Sequence, residues 1–249
     1  MKNKILTSLM ALFMLCPIYA KGQNNADILT KAEAGLRKYC KAFTTSTTPV
    51  PSSCRNNCFS SQVERNSRDW IMSIYNRPED MSKMAIWWVG DSRTVGMWSR
   101  LFSRQTRHNE AFLAKVGEGH KWLTGTALPK LESCICDGDT VILALGANDI
   151  SSYDEYIKTY NDLMDRDVKF FVVSVNPVLN AQNLTNEQIS RFNSKMKFAF
   201  PDVYINTYDA VYNMLDDRCT EDGLHYNGKC GIDKKVYEVV MQKVNDLNK

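Results

Sequence analysis

Short apolar runs that alternate with helical patterns constrain the fold of this chain more than any other feature. Each of the first four runs is followed by a glycine or an Asn-Pro pair, and a shorter fifth run comes after them: Ala85–Val89, Ala111–Val116, Thr140–Leu145, Lys169–Val175 and Val203–Ile205. Continuous apolar runs with such boundaries are typical of strands that are buried on both faces.

Helical patterns fill the gaps between these runs. Apolar residues recur at helical spacing in Tyr156–Met164 and in Val236–Val244. Thr185 and Gln188 are spaced as a capping box, which predicts a helix from there to about Phe200. Strands that alternate with helices predict a mainly parallel sheet with helices on both faces, which is a three-layer α/β/α sandwich.

The N-terminus has the organisation of a secretory signal peptide. Two lysines precede the apolar segment Ile5–Cys16, which is too short to span a bilayer. Small residues at Ala20 and Gly22 offer two cleavage sites, so we expect a signal peptide over residues 1–22. A lipid anchor on the cysteine of this segment is the weaker alternative, because a bulky leucine precedes it. No other run is long and apolar enough for a membrane span, so we expect a secreted or periplasmic protein.

The net charge argues against nucleic acid as the ligand of this chain. The whole sequence carries +3 at neutral pH. Lys2, Lys4 and Lys21 lie in the predicted signal peptide, where there is no acidic residue, so the mature part is neutral. Nucleic-acid-binding proteins usually present a basic face, and we expect no nucleic-acid partner here.

Residues 23–84 differ from the regular pattern that follows them. Ala26–Ala42 is predicted as an amphipathic helix, and Thr44–Ser61, rich in Ser, Thr, Pro and Cys, as a loop. Ser67–Tyr75 is predicted as another short helix. We therefore divide the chain into a signal peptide, a helix/loop extension and an α/β domain, with the bounds 1–22, 23–84 and 85–249.

The cysteines fit an exported protein, because disulfides persist outside the cytoplasm. Of the 8 cysteines, seven lie beyond the predicted signal peptide, so at least one has no intramolecular partner. Cys219 and Cys230 flank a short late segment and are predicted to close it with a disulfide, unless each pairs elsewhere. The other closely spaced cysteines fit no regular zinc pattern: Cys54, Cys58, Cys134 and Cys136. We therefore expect no metal ion and no cofactor.

Polar residues follow the predicted strands at their carboxyl ends, where open parallel sheets bind ligands. Gly90–Ser92 follows the first run, Gly117–His120 the second and Gly146–Asp149 the third. Ser92 lies where a strand turns into a helix, so its hydroxyl could act as a nucleophile and its N–H could stabilise an oxyanion. The alternative is that Ser92 is only the N-cap of the helix.

A serine nucleophile needs a general base, and the sequence offers 3 histidines. His108 lies in a polar stretch and is predicted at the surface, whereas His120 follows a strand end and is predicted near the crevice. His225 follows Asp222 by three residues, and this acid could accept a ring N–H and fix the tautomer of the imidazole. The alternative is that Asp222 and His225 are ordinary loop residues.

Three more residues are candidates for the lining of the site. The Asn148 amide and the Gly119 N–H could donate to an oxyanion, and Asn176 could line the pocket at the end of the fourth run. Each also has an ordinary interpretation as a turn or cap residue.

In their order along the chain, these motifs resemble the four motif blocks of the SGNH (GDSL-like) hydrolases: Gly90-Asp91-Ser92, Gly119, Gly146-x-Asn148-Asp149 and Asp222-x-x-His225. The resemblance runs from about Ala85 to the C-terminus and implies the flavodoxin-like fold of that family. It implies that Ser92 is the nucleophile, with His225 as its base and Asp222 as the orienting acid. It also implies that the oxyanion hole consists of the Ser92 and Gly119 N–H groups and the Asn148 amide.

The segment Trp88–Met97 is similar to the start of the domain in a bacterial subgroup of that family whose substrates are little defined. Arg93 stands where the GDSL form has leucine, which places a cation beside the nucleophile. Gly117 competes with Gly119 for the second block, and Gly119 is preferred because it follows a short turn after the strand. We expect Arg93, His120 and Asn176 to contact the substrate.

The resemblance implies ester hydrolysis through an acyl-enzyme, on a small-molecule or glycan ester. An O-acetyl group on a glycan is the substrate class that the family often uses. Two alternatives remain open: a non-catalytic carbohydrate-binding or cell-surface module on the same fold, and an acyltransferase that uses the same residues.

Overall fold

A computed structural model of the chain describes residues 54–103, 109–164 and 169–246. The predicted signal peptide, the predicted helix Ala26–Ala42 and His108 therefore lie outside the described residues. Within the three described ranges, no helix is long and apolar enough to cross a membrane.

A seven-stranded sheet forms the centre of the fold, with the strand order β1-β2-β4-β3-β5-β6-β7. The strands are β1 Gln62–Arg65, β2 Ile71–Asn76, β3 Ile86–Gly90, β4 Glu110–Lys115, β5 Thr140–Ala144, β6 Lys169–Val173 and β7 Tyr204–Ile205. Strands β3 to β7 pair in parallel, and β1 and β2 add two antiparallel strands at the β4 edge. The predicted mainly parallel sheet and its five predicted strands are confirmed.

The prediction of a helix over Ser67–Tyr75 is wrong. A tight turn at Asp69, with φ of 63°, is followed by β2, which pairs antiparallel with β4. A short apolar run fits a helix or a strand equally well, and here the open edge of β4 decides for the strand. Two strands from the segment that was predicted as a helix/loop extension thus belong to the sheet.

Helices cover both faces of the sheet. They are α1 Ser92–Leu101, α2 His120–Trp122, α3 Leu128–Glu132, α4 Tyr153–Met164, α5 Asn186–Ala199, α6 Tyr208–Tyr212 and α7 Ile232–Asp246, with a π-helical turn, Leu123–Ala127, between α2 and α3. Parallel crossovers are right-handed, and the step from β3 to β4 runs across the sheet in the opposite direction from the steps to β5, β6 and β7. The helices α1 and α4, which follow β3 and β5, therefore lie on opposite faces. Since α7 packs on α1 and α5 packs on α4, each face carries one pair.

Local sequence signals account for the helix and strand bounds. The capping box is present, since the Thr185 hydroxyl accepts the Gln188 N–H and the Gln188 side chain accepts the Thr185 N–H. Trp87 and Val89 on β3 are fully buried, as are Ile142 and Leu143 on β5. The centre of the core therefore lies at the two strands whose carboxyl ends carry the candidate site.

Three disulfides join the described cysteines: Cys54–Cys136, Cys58–Cys134 and Cys219–Cys230. The predicted Cys219–Cys230 pair is confirmed. Beside the other two, the Arg55 guanidinium donates to both carboxylate oxygens of Asp139 at 2.7 Å, and both side chains are buried. The two disulfides and this ion pair together hold the N-terminal part of the described chain against the turn that leads into β5.

Candidate active site

Ser92 is the first residue of α1 and is separated from the end of β3 by one residue. The N-cap is Asp91, whose carboxylate accepts the Arg93 N–H at 3.0 Å, so the interpretation of Ser92 as the cap itself is wrong. A Cβ at Gly90 would lie 1.9 Å from Thr94 Oγ1 and 3.0 Å from the Ala144 carbonyl oxygen. Only glycine therefore lets Thr94 of α1 pack so closely on the end of β3, beside β5.

Ser92, His225 and Asp222 form a hydrogen-bonded chain. Ser92 Oγ and His225 Nε2 lie 2.9 Å apart, and His225 Nδ1 lies 2.6 Å from Asp222 Oδ2. A neutral imidazole whose Nδ1 proton faces the carboxylate has an Nε2 lone pair that can accept the Ser92 hydroxyl proton. The arrangement can therefore activate the hydroxyl as a nucleophile.

Asp222 is held in its ionised form. Its Oδ1 accepts the backbone N–H groups of Leu224 at 2.9 Å and His225 at 2.7 Å. Partial burial alone would raise the pKa of Asp222, but the bond to the His225 ring and the two backbone donors outweigh it and lower the pKa to about 2. The carboxylate can therefore orient the imidazole and stabilise its protonated form.

The segment from Cys219 to Cys230, which carries the candidate base His225, is called the base loop and is tied at several points. The Cys219–Cys230 disulfide closes it, and the Asn227 N–H donates to the Cys219 carbonyl at 2.9 Å. Gly223, with φ of 77°, lies so close to the segment after β6 that a Cβ there would be 2.1 Å from the Leu179 carbonyl oxygen. The Leu179 N–H in turn donates to the Gly223 carbonyl at 2.8 Å.

The turns after β4 and β5 bring the candidate oxyanion donors together. Gly119 is the N-cap of α2, and the Asn148 amide donates to the Glu118 carbonyl at 2.8 Å. The buried Asp91 carboxylate accepts the Ala147 N–H, which links this turn to that of Ser92, and burial raises the pKa of Asp91 above its ordinary value. The oxyanion role of Gly119 and Asn148 stays a prediction.

Asp149 is a structural partner of this site to which the sequence motifs assigned no role. Its Oδ2 accepts the His120 N–H at 2.6 Å and its Oδ1 accepts the Tyr156 hydroxyl at 2.7 Å. A Cβ on Gly119 would lie 2.3 Å from Asp149 Oδ2. Asp149 therefore braces the Gly119 turn against the Asn148 turn. Its position next to Asn148 was the available signal, but its partner His120 lies 29 positions away.

The side chains of the three predicted substrate contacts are engaged with the protein itself. His120 Nε2 lies 2.8 Å from Thr159 Oγ1 on α4, and the buried Asn176 Oδ1 accepts the Thr207 hydroxyl at 2.7 Å. Arg93 donates to two main-chain carbonyls of the segment after β6. A role of these residues as substrate contacts stays a prediction.

One group of three potential metal ligands comes together among the described residues: Asp216, Cys219 and Cys230. The two sulfurs form a disulfide, so neither is available as a thiolate, the form that binds metals. The same holds for the cysteines at positions 54, 58, 134 and 136.

Comparisons with known proteins bear on the fold. No protein-family model and no curated protein sequence matches the chain. A Bacteroides fragilis protein that is provisionally assigned as an acylhydrolase is 13% identical, covers 70% of this chain and 91% of its own, and superposes with a TM-score of 0.56. A GDSL-like lipase from Bacteroides thetaiotaomicron is 13% identical over 65% of this chain and 87% of its own, with a TM-score of 0.51.

A third solved structure, LAE5, is an α/β hydrolase from the metagenome of Lake Arreo. It is 14% identical over 67% of this chain and 97% of its own, with a TM-score of 0.50. At these identities the likeness concerns the fold, and the chain therefore shares its α/β fold with a GDSL-like lipase.

Proposed function

We propose that this protein is a serine esterase that hydrolyses its substrate through an acyl-enzyme on Ser92. The observation that carries the proposal is the contact of 2.9 Å between Ser92 Oγ and His225 Nε2, side chains that lie 133 positions apart in sequence. The bond between His225 and Asp222 completes an acid–base–nucleophile arrangement. The fold shared with a GDSL-like lipase is in keeping with this chemistry.

In the first half of the reaction, His225 Nε2 takes the hydroxyl proton while Ser92 Oγ bonds to the ester carbonyl carbon. The carbonyl oxygen becomes an oxyanion, for which the Ser92 and Gly119 N–H groups and the Asn148 amide are the proposed donors. The carbon–oxygen bond to the alcohol then breaks, and protonated His225 gives its proton to the departing alcohol oxygen. General-base help of this kind is worth about 10²–10⁴-fold in rate.

In the second half, water attacks the acyl-enzyme. His225 takes a proton from the water as its oxygen bonds to the acyl carbon, and then returns a proton to Ser92 Oγ as the carboxylic acid leaves. Asp222 stays ionised throughout and stabilises the imidazolium without taking its proton.

The substrate class and the location belong to the same proposal. We propose a small-molecule or glycan ester, with an O-acetyl group on a glycan as the first substrate to test. Three disulfides support a secreted or periplasmic protein, since such bonds persist in oxidising compartments.

The test is labelling by a fluorophosphonate probe together with hydrolysis of an activated ester. Wild type should react with the probe and turn over the ester, and Ser92→Ala should do neither. Ser99→Ala, which alters a second serine on α1, is the matched control and should behave as wild type. Turnover of purified Ser92→Ala at the wild-type rate would refute the nucleophile, and the absence of both labelling and hydrolysis in wild type would favour a binding module. A panel of acetylated sugars and longer acyl esters then tests the substrate class.

A further inference from the structure

Arg93 follows the candidate nucleophile on α1 and reaches the segment after β6. Its Nη1 donates to the Asn176 carbonyl at 2.6 Å and its Nη2 to the Pro177 carbonyl at 3.3 Å. These carbonyls lie 83 and 84 positions along the chain from Arg93. The guanidinium therefore links the start of α1 to the segment after β6.

The same guanidinium also contacts the residue beside the base. It lies 5.3 Å from the centroid of the Tyr226 ring, a cation–π distance. The Tyr226 hydroxyl donates to the Pro177 carbonyl at 2.7 Å, so Arg93 and Tyr226 meet at one oxygen. Burial raises the pKa of Tyr226 to about 12, although the Arg93 cation opposes the rise, and the hydroxyl thus remains a donor at neutral pH.

We infer that Arg93 is a positioning residue, which holds His225 in register with Ser92 through Tyr226 and Pro177. The inference rests on the proposed esterase function and replaces the predicted contact between Arg93 and substrate. A planar guanidinium can donate to two carbonyls from separate nitrogens while its face lies over a ring, a geometry that a lysine ammonium cannot reproduce.

Two of the other restraints on the base loop act away from the base itself. The disulfide joins the ends of the loop, and the Leu179–Gly223 bond holds its tip. Arg93 acts at Tyr226, the residue next to His225. Since a displacement of about 1 Å can cost about 100-fold in rate, a loss of this contact should appear in kcat.

The experiment compares Arg93→Met and Arg93→Lys with wild type on an uncharged activated ester. Arg93→Met should lower kcat about 10- to 100-fold and leave KM within about threefold, and Arg93→Lys should recover part of the loss. A rise in KM at unchanged kcat would overturn the inference in favour of substrate binding. Arg100→Met is the matched control, because Arg100 also lies on α1 and pairs with Asp233 on α7. It should lower the Tm and leave kcat unchanged.

A double-mutant cycle tests the route through the tyrosine. Tyr226→Phe keeps the ring and removes the hydroxyl that reaches Pro177. If Arg93 acts through Tyr226, the loss of kcat in Arg93→Met/Tyr226→Phe should be smaller than the product of the single losses. Losses that multiply would overturn the proposed route.

A measurement without turnover separates this inference from the proposed function. The His225 Nδ1 proton, in its bond of 2.6 Å to Asp222, should give a downfield proton resonance in wild type that broadens in Arg93→Met and persists in Arg100→Met. An unchanged resonance together with an unchanged kcat in Arg93→Met would refute the positioning role. Activity that survives in Ser92→Ala would instead refute the proposed esterase mechanism.

Discussion

Removal of the Cys219–Cys230 disulfide tests how far the stability of the base loop and the alignment of the base depend on one cross-link. The two cysteines are 11 positions apart, and closure of a loop of that length in the unfolded chain is worth about 3 kcal/mol. Cys219→Ala/Cys230→Ala should therefore lose about 3 kcal/mol of unfolding free energy, or about 6–12 °C of Tm in a domain of this size. Alanine suits the site because Cys219 is buried, and a serine hydroxyl there would need a partner.

The assay pairs urea unfolding, followed by tryptophan fluorescence, with kcat on an activated ester at a temperature where the variant is folded. Asp222 and His225 lie inside the loop, so kcat should also fall. The Leu179–Gly223 bond still holds the tip of the loop, and we therefore expect a loss of about tenfold rather than complete inactivation.

The matched control is Cys58→Ala/Cys134→Ala, which removes a disulfide near the amino end of β5, whereas the site lies at the carboxyl ends of the strands. It should lower the free energy of unfolding and leave kcat unchanged. Wild-type kcat in Cys219→Ala/Cys230→Ala would refute the alignment argument, and an equal loss of kcat in the control would point to general destabilisation.

Three further variants test separate features. Asp222→Asn should lower kcat about 10²–10⁴-fold. Because the wild-type pKa of Asp222 is about 2, the stabilising effect of its carboxylate is complete above the ordinary pKa and should fade as the pH falls from about 4 to 2. Acid unfolding of wild type and Asp222→Asn would reveal this difference. Gly119→Ala places a Cβ 2.3 Å from Asp149 Oδ2 and should lower kcat at least about tenfold. The control Gly125→Ala, with open space around it, should leave kcat unchanged. Equal kcat values in the two variants would contradict the bracing role of Asp149. Arg55→Met strands its buried aspartate partner and should cost about 3–5 kcal/mol in urea unfolding; a loss below about 1 kcal/mol would mean that the pair is not effectively buried.

Those strands whose signals are local could be predicted from the sequence. The run before Gly146 is apolar on both faces and ends at a residue with φ of 122°, so its strand character and its end are encoded within a few residues. The capping box at Thr185 is similarly local. The run at Ser67–Tyr75 lacks such a signal, and its pairing with β4 decided its conformation.

The candidate site divides in the same way. Ser92, Asp222 and His225 could be selected from the sequence because the chain has 3 histidines and Asp-x-x-His places an acid beside a base. The Cys219–Cys230 pair could be anticipated because the two residues flank that motif closely. The partners of Arg93 could not be anticipated, since nothing near it in sequence specifies carbonyls more than 80 positions away.

What the sequence by itself determined is the alternation of strands and helices and the set of candidate residues for the proposed acyl chemistry. What only the tertiary structure decided is which of these groups meet. Arg93, which was predicted as a substrate contact, links α1 to the segment after β6, and Asp149 braces the Gly119 turn. The physical reason is that long-range partners depend on the register and packing of every strand between them, whereas caps, turns and apolar runs depend on neighbours in the chain.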